Sequence, residues 1–407
     1  MLFRSSWARM KRLSVLLLVV GCALLAGCPN PATAPKTGGP VAPADPTESG
    51  PQAKLPTIKL WLGAHEVVAE IARTPVEQLA KEEDAAIASA IALQERVGLR
   101  LATDGEFRRR SYHSYFFSRL GEIVPDRVDD SGGVTGRGAQ PRAVIDSRLR
   151  WTGSIHVADF QFVKARTGLV PKVTLPGPCA LHFRGGDAAI TSTAYRDVEE
   201  FWNDTVEAFR SELRALADAG CTYVQIDETA FAKFADPETR RALAARGDHW
   251  STLIDRYIDV TNRVLQGLPP KLHVGMHLCR GNRGGQWHAE GDYEAVAERL
   301  FDRLDIPFYL LEFDSERAGS FAPLRFLPRD KSVVLGLVSS KSPQLEGIDD
   351  LRRRIDAAAR YVDLQRLALS PQCGFASIDS GNPVTPQVQE AKLRRVVEVA
   401  HVVWQDA

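Results

Sequence analysis

The amino-acid sequence predicts a single α/β domain over residues 55–407, a (β/α)8 barrel of the TIM type. Short apolar runs alternate with helical stretches throughout this region, and most of the runs are continuously apolar, as strands buried on both faces are. The length of the region also suits one barrel. We predict eight strands, at Thr57–Leu62, Leu99–Thr103, Lys172–Leu175, Thr222–Ile226, Leu272–Met276, Phe308–Leu311, Val333–Leu337 and Arg366–Leu369.

Helices are predicted between the strands from their end signals and their apolar spacing. The run TPVE at residues 74–77 is a capping box with proline at the first helical position, and Gly98 ends that helix. The segment 107–170 is long for one connection and is expected to pass over the barrel mouth. The other main helices are predicted at about Ala194–Gly220, Ser251–Leu268, Asp292–Leu304, Ile348–Val362 and Pro386–Val403.

Polar side chains follow six of the predicted strands, and barrel closure would bring them together at the C-terminal face. The second strand is followed by Asp104 and Glu106, and the fourth by Asp227. The fifth to eighth strands are followed, in order, by His277 and Cys279, by Glu312, by Lys341 and by Cys373. Two thiolates, an imidazole and a carboxylate make a tetrahedral shell that suits zinc. We therefore predict a zinc site with four protein ligands, His277, Cys279, Glu312 and Cys373. The carboxylate is the weakest of these donors, so an incoming thiol is expected to be able to displace it.

The composition argues against several other classes of protein. The 407 residues include 51 Lys and Arg and 51 Asp and Glu, so the net charge is zero and no nucleic-acid partner is expected. Four of the six cysteines are sparse over the long folded region, which is not the pattern of a disulfide framework. Cys179 and Cys221 are predicted to be small buried side chains.

The N-terminus carries the signals of an exported, lipid-anchored protein. Residues 1–28 combine a positive start, an apolar stretch too short to span a bilayer, and the run LAGC, which resembles a lipobox and predicts lipidation of Cys28. Residues 29–54 are rich in Pro, Ala, Thr and Gly and predict a flexible tether. The predicted location is the cell envelope, with membrane contact only through the lipid. The alternatives are cleavage without lipidation, and a cytoplasmic protein translated from a later start.

Over residues 57–407 the chain resembles the cobalamin-independent methionine synthase family, and most closely the short proteins that match only its catalytic C-terminal half. The motifs are TDGEFRR (103–109), VQIDETAF (224–231), HLC (277–279), LLEFDSE (310–316), LGLVSSKSP (335–343) and PQCG (371–374). The resemblance implies that the four predicted ligands hold zinc. It also implies that Glu106 and Asp227 bind the amino group of homocysteine.

The chain departs from the family pattern at three places. Gly63-Ala64 is the nearest match to a Gly-Ser pair that contacts the amino-acid carboxylate in many members. Lys341 precedes Ser-Pro where the full-length synthases have a histidine proton donor, and Lys233 lies near the position of an acidic residue that helps to bind the pterin. We expect Lys341 either to act as the catalytic acid or to bind an anionic part of the substrate.

The leading hypothesis is a zinc-dependent S-methyltransferase that resembles 5-methyltetrahydropteroyltriglutamate–homocysteine methyltransferase. It would transfer a methyl group, from a methylated folate or a simpler donor, to a zinc-activated thiol such as homocysteine and give methionine. Zinc deprotonates a bound thiol, and the thiolate is the nucleophile. One alternative is zinc-dependent alkyl transfer to another thiol. The other is a non-catalytic envelope lipoprotein that binds a thiol or a metal.

Overall fold

A computed structural model describes residues 57–62, 65–70, 76–109, 111–121, 123–127, 142–190, 194–282, 285–376 and 382–405. The predictions for the signal peptide, the tether and Cys28 lie outside these residues. In the described part, the strands are β1 (Thr57–Leu62), β2 (His65–Glu70), β3 (Leu101–Ala102), β4 (Ile123–Arg127), β5 (Arg142–Ile145), β6 (Val170–Pro171), β7 (Val173–Pro176), β8 (Tyr223–Glu228), β9 (His273–Leu278), β10 (Phe308–Glu312), β11 (Ser332–Val338) and β12 (Leu367–Pro371).

The α-helices of the same residues alternate with these strands. They are α1 (Val76–Arg96), α2 (Ser114–Phe117), α3 (Val157–Lys164), α4 (Ala180–Gly185), α5 (Val198–Asp218), α6 (Ala230–Lys233), α7 (Pro237–Ala245), α8 (Trp250–Leu265), α9 (Glu294–Arg303), α10 (Ile348–Ala359) and α11 (Pro386–Trp404). No helix in the described ranges is both long enough and apolar enough to span a membrane.

The centre of the fold is a parallel sheet whose strands follow chain order. Strands β7 to β12 pair as neighbours in that sequence, and each is parallel to the next. Strand β3 pairs in parallel with β6, and a 2.8 Å hydrogen bond from Lys172 N to Ala102 O extends this pairing to the start of β7. A parallel sheet in chain order with a helix after nearly every strand is the arrangement of a (β/α) barrel, so the predicted fold class is confirmed.

The first predicted strand is the exception. Strand β1 has the predicted bounds, but it pairs with β2 in an antiparallel hairpin, from Thr57 opposite Glu70 to Leu62 opposite His65. The prediction that it is the first parallel strand of the barrel is therefore wrong for the described structure. The physical reason is the short connection: only residues 63 and 64 separate the two strands, whereas a parallel crossover needs a dozen residues or more. Gly63-Ala64 itself lies outside the described residues.

The other predicted strands and the main helices are present, with ends shifted by a few residues. Helix α5 begins after Asp197, whose side chain accepts a hydrogen bond from Glu200 N, so its start is later than predicted. Helix α1 ends at Arg96, and Gly98 follows with a φ of +88°. The capping-box residues Thr74 and Pro75 lie outside the described residues. Part of segment 107–170 forms α2, the β4–β5 hairpin and α3.

The apolar core packs between this sheet and the surrounding helices. Helix α5 buries Phe201, Trp202 and Phe209 on one face. Cys179 and Cys221 are fully buried free thiols, as predicted. This packing fixes the carboxyl ends of β8 to β12, where the polar residues predicted for the site lie, except for Glu106, which follows β3.

Candidate metal centre

The four predicted ligands converge at the carboxyl ends of three strands. His277 lies on β9 with Cys279 just beyond it, Glu312 is the last residue of β10, and Cys373 follows β12. One ligand atom from each residue lies within 4.8 Å of every other, and all four residues are buried. The sequence placed these residues up to 96 positions apart, and the barrel brings them into one cluster.

His277 is oriented by a backbone hydrogen bond across the sheet. Its Nδ1 donates to the carbonyl oxygen of Leu310, which lies opposite it on β10, at 3.1 Å. Its Nε2 is buried and has no hydrogen-bond partner among the described residues. A buried nitrogen without a hydrogen-bond partner destabilises the fold unless it binds a ligand. The neutral tautomer with its proton on Nδ1 leaves the Nε2 lone pair available to a metal.

The two sulfurs are spaced as a shared metal requires. Cys279 Sγ and Cys373 Sγ are 3.9 Å apart. Two sulfurs bound at about 2.3 Å to one tetrahedral zinc ion would lie roughly 3.8 Å apart. The adjacent Cys373 and burial raise the pKa of Cys279 well above its usual value. A bound cation would reverse this effect, because metal coordination deprotonates a thiol.

Glu312 is held as a carboxylate by buried cations. Its Oε2 accepts a hydrogen bond from Arg280 N at 2.8 Å. Lys341 Nζ is 3.6 Å from Oε1, and Arg317 Nη2 is 3.8 Å from Oε2. Burial by itself would raise the pKa of Glu312, but Lys341, Arg317 and Arg280 lower it to about 2. The carboxylate is therefore ionised and ready to bind a metal at neutral pH.

The surroundings also set the protonation of His277. Burial would lower its pKa, but Cys279, Asp227 and Glu312 raise it to about 9. Without a metal, His277 therefore carries a second proton, on Nε2, at neutral pH. A metal must displace this proton, so metal uptake should release protons and strengthen as the pH rises toward 9.

Glu106 and Asp227 form a second pair of acidic groups beside the cluster. Asp227 lies on β8 directly opposite His277 on β9. Glu106 is buried, and its Oε1 accepts a hydrogen bond from Thr174 Oγ1 and lies 3.2 Å from Arg109 Nη1. Its Oε2 is buried without a hydrogen-bond partner in the described part of the chain. Burial is the main cause that raises the pKa of each carboxyl, and the charge of Asp227 adds to it at Glu106.

The backbone at Glu106 is unusual, because this residue has a φ of +60°. Non-glycine residues rarely adopt this conformation, and it is costly unless the surrounding structure enforces it. Asp104 accepts a hydrogen bond from Glu106 N at 2.9 Å, which stabilises the turn. The turn aims Glu106 inward, where its free oxygen can accept a hydrogen bond from an ammonium group.

Lys341 lies next to the cluster, as predicted from its place after the seventh strand. Its side chain is 7% exposed, and its contact with Glu312 is an ion pair. No hydrogen-bond partner of Nζ occurs among the described residues. The catalytic role of Lys341 stays a prediction, but its position lets it reach a group bound at the metal centre.

The arginines around the site were not predicted. Arg280 is fully buried and donates from Nη1 to Glu312 O and to Tyr293 Oη, each at 3.0 Å. Arg109 donates to Thr174 O at 3.0 Å. The signal in the sequence was adjacency: Arg280 directly follows Cys279, and Arg109 ends the run TDGEFRR. Arg317 likewise directly follows the run LLEFDSE.

A parallel α/β barrel with a buried ligand cluster at the carboxyl ends of its strands has the architecture of a barrel enzyme. The model of the cobalamin-independent synthase family, catalytic domain, matches residues 64–401, so the chain belongs to this family. It is thus an enzyme of the methionine synthase family, a methyltransferase. This confirms the resemblance drawn from the motifs.

Three known proteins illustrate the similarity. The uncharacterized protein YxjG of Bacillus subtilis is 39% identical over 337 residues, which are 81% of this chain and 87% of that protein. A solved Listeria monocytogenes protein, assigned as a vitamin-B12-independent methionine synthase, has a TM-score of 0.64 and 32% identity, and the match covers 82% of this chain and 90% of that one. A B12-independent methionine synthase from Shewanella, solved with selenomethionine, shares the fold with a TM-score of 0.66 at 21% identity, over 86% and 96% of the two chains.

The ligand assignment predicts the metal content of two cysteine variants. Wild-type protein should hold about one zinc ion per chain, and Cys279→Ser should lose most of it, since a hydroxyl is a poor replacement for a thiolate ligand. Metal analysis of dialysed protein by mass spectrometry measures this. Cys221→Ser is the matched control, because Cys221 is also a buried free thiol and lies before the start of β8, away from the predicted ligands. Full zinc content in Cys279→Ser would contradict the assignment.

Proposed function

We propose that this protein is a zinc-dependent S-methyltransferase that methylates the thiol of an amino acid, with homocysteine as substrate and methionine as product. The single observation that carries the proposal is the buried cluster of His277, Cys279, Glu312 and Cys373 with the unpartnered Nε2 of His277 inside it. These four residues would hold the zinc. The ion would supply a substrate thiolate at neutral pH, which is the form that attacks a methyl group.

The chain's own residues supply the means to bind an amino acid. The free Oε2 of Glu106 and the half-buried carboxyl of Asp227 suit an α-ammonium group, which would lower the pKa of both carboxyls. Asp227 is opposite His277 in the sheet register, so the ammonium site and the metal centre lie on adjacent strands. An amino acid anchored there would present its thiol to the cluster in a fixed orientation, and this raises the rate of an in-line displacement.

The methyl donor is proposed to be a methylated folate. A methyl group on a tertiary amine leaves only if the nitrogen is protonated, so the reaction needs an acid. Lys341 Nζ has no hydrogen-bond partner among the described residues and stands beside the metal centre, so it is our candidate for this acid. The lysine also favours a second candidate function, in which the same centre alkylates a thiol with a simpler methyl donor.

The activity is tested with zinc-loaded protein, homocysteine, and either methylfolate or simpler methyl donors. Methionine should form with at least one donor, and turnover with methylfolate would decide against the second candidate. Glu106→Gln should raise the homocysteine KM roughly 10- to 100-fold, because a hydrogen bond to a charged group contributes about 1.5–3 kcal/mol.

Two further variants distinguish the binding of homocysteine from the transfer of the methyl group. Glu298→Gln, at an exposed position on α9, should leave the homocysteine KM unchanged. Lys341→Met should lower kcat with an amine-type donor and leave homocysteine binding intact. The proposed activity would be contradicted if protein that holds zinc and binds homocysteine showed no turnover with any donor.

We also propose that the mature protein is anchored in the cell envelope through Cys28. The run LAGC after an apolar stretch, followed by a Pro- and Ala-rich segment at 29–54, supports this. Mass spectrometry of the protein purified from membranes should find a lipid-modified Cys28 as the first residue. An intact N-terminus that begins at Met1 would contradict the proposal.

A further inference from the structure

A buried lysine inside the barrel is linked by hydrogen bonds to the proposed ammonium site. Lys172, the residue before β7, is 3% exposed, and its Nζ donates to Gln225 Oε1 at 2.6 Å. Gln225, on β8, is fully buried, and its Nε2 donates in turn to Asp227 Oδ1. One amide thus connects this lysine with a carboxylate that we propose binds the substrate.

The pairing of β7 with β8 brings these three residues together. Side chains alternate between the two faces of a strand, so Gln225 and Asp227 point to the same face of β8. The two strands are parallel, with Thr174 opposite Gln225 and Pro176 opposite Asp227. Lys172 precedes Thr174 by two residues, which places it one step below Asp227 along the barrel, within reach of Gln225.

The donors and acceptors of this network fit in one direction only. An ammonium group has three donors and no acceptor, so Gln225 must turn its carbonyl oxygen toward Lys172. Its amide nitrogen can only donate, and it therefore faces Asp227, whose Oδ1 accepts. The bond to Oδ1 holds the Asp227 carboxyl in one orientation, so the second oxygen of this group also has a fixed position.

Glu106, the other carboxylate of the ammonium site, is held in a similar way. Arg109 Nη1 donates to Thr174 Oγ1 at 2.8 Å, and Thr174 Oγ1 donates to Glu106 Oε1. Arg109 also lies 3.2 Å from Glu106 Oε1 directly. Because Thr174 and Gln225 are opposite each other in the sheet, the two hydrogen-bonded networks lie side by side. Together they fix the positions of both carboxylates.

The stability of the fold does not explain Lys172. Burial of an ammonium group costs folding free energy, and a hydrogen bond to a neutral amide offsets only part of this cost. Burial lowers the pKa of Lys172 to about 7, although the charges of Asp227 and Glu106 act in the opposite direction. A methionine of similar length would fill the same space without a charge. The lysine is better explained by its effect on Asp227.

We propose that Lys172 is a positioning residue for the ammonium group of the substrate and acts through Gln225 on Asp227. The inference rests on the proposed function, because that function assigns the ammonium group to Asp227. Lys172 would thereby make the site selective for thiols that carry an amino group, while the metal centre binds the sulfur.

Titration calorimetry of the zinc-loaded protein tests this role with homocysteine and with 4-mercaptobutyrate, which is homocysteine without its amino group. Lys172→Met should weaken homocysteine binding about tenfold, the lower end of the effect of a hydrogen bond to a charged group. The binding of 4-mercaptobutyrate should stay as in the wild type. Gln225→Met breaks the same link and should cause the same loss, and the double variant should lose no more than either single variant.

Lys331→Met is the matched control for the removal of a buried lysine. Lys331 precedes β11 and is buried, and its Nζ donates to the carbonyl oxygen of Phe301 at 2.6 Å. It lies at the amino end of its strand, away from the proposed ammonium site. This variant should bind both thiols as the wild type does.

Three results would overturn the inference: the Lys172 and Gln225 variants bind homocysteine as the wild type does, they lose affinity for both thiols alike, or they lose zinc. If Lys172→Met does not fold, Gln225→Met decides by the same criteria. Homocysteine that fails to bind the wild type overturns the proposed function as well. Normal homocysteine binding by the wild type and by both variants overturns this inference alone.

Discussion

The site depends on the parallel register of three neighbouring strands. Asp227 on β8 lies opposite His277 on β9, and His277 lies opposite Leu310 on β10. This alignment makes the bond from His277 Nδ1 to the Leu310 carbonyl possible, and that bond leaves Nε2 free inside the cluster. A shift of one residue in the register of any of these strands would turn the side chains of that strand to the opposite face of the sheet. The buried apolar side chains of the strands hold the register, so the core stabilises the geometry of the site.

Buried charge is the second constraint. Glu312 is fully buried, and its ionised form is tolerated because Arg280, Arg317 and Lys341 surround it. Such arrangements seldom add net stability, since the desolvation of each ion offsets much of the attraction. The charges around the centre are thus better explained by binding and chemistry than by folding.

Much of this arrangement could be predicted from the sequence because barrel closure follows a simple rule. Residues just beyond successive buried strands must meet at one face, and this rule was enough to group His277, Cys279, Glu312 and Cys373. The apolar pattern of Thr57–Leu62 did not show that this strand pairs with β2 in an antiparallel hairpin. The two-residue connection between the strands favours that hairpin over a parallel crossover. The contacts of Arg280 and Arg317 with Glu312 could not be predicted, because the direction of a long side chain depends on packing between elements distant in sequence.

The central claim is that the four-residue cluster holds zinc and activates a thiol. X-ray absorption at the zinc edge, before and after addition of homocysteine, tests it most directly. Before addition, the zinc shell should contain two sulfur atoms at about 2.3 Å and two lighter donors. With homocysteine bound, the shell should contain three sulfurs, and the solution should gain protons. A shell that keeps two sulfurs while homocysteine is bound, or that lacks sulfur from the start, would contradict the account.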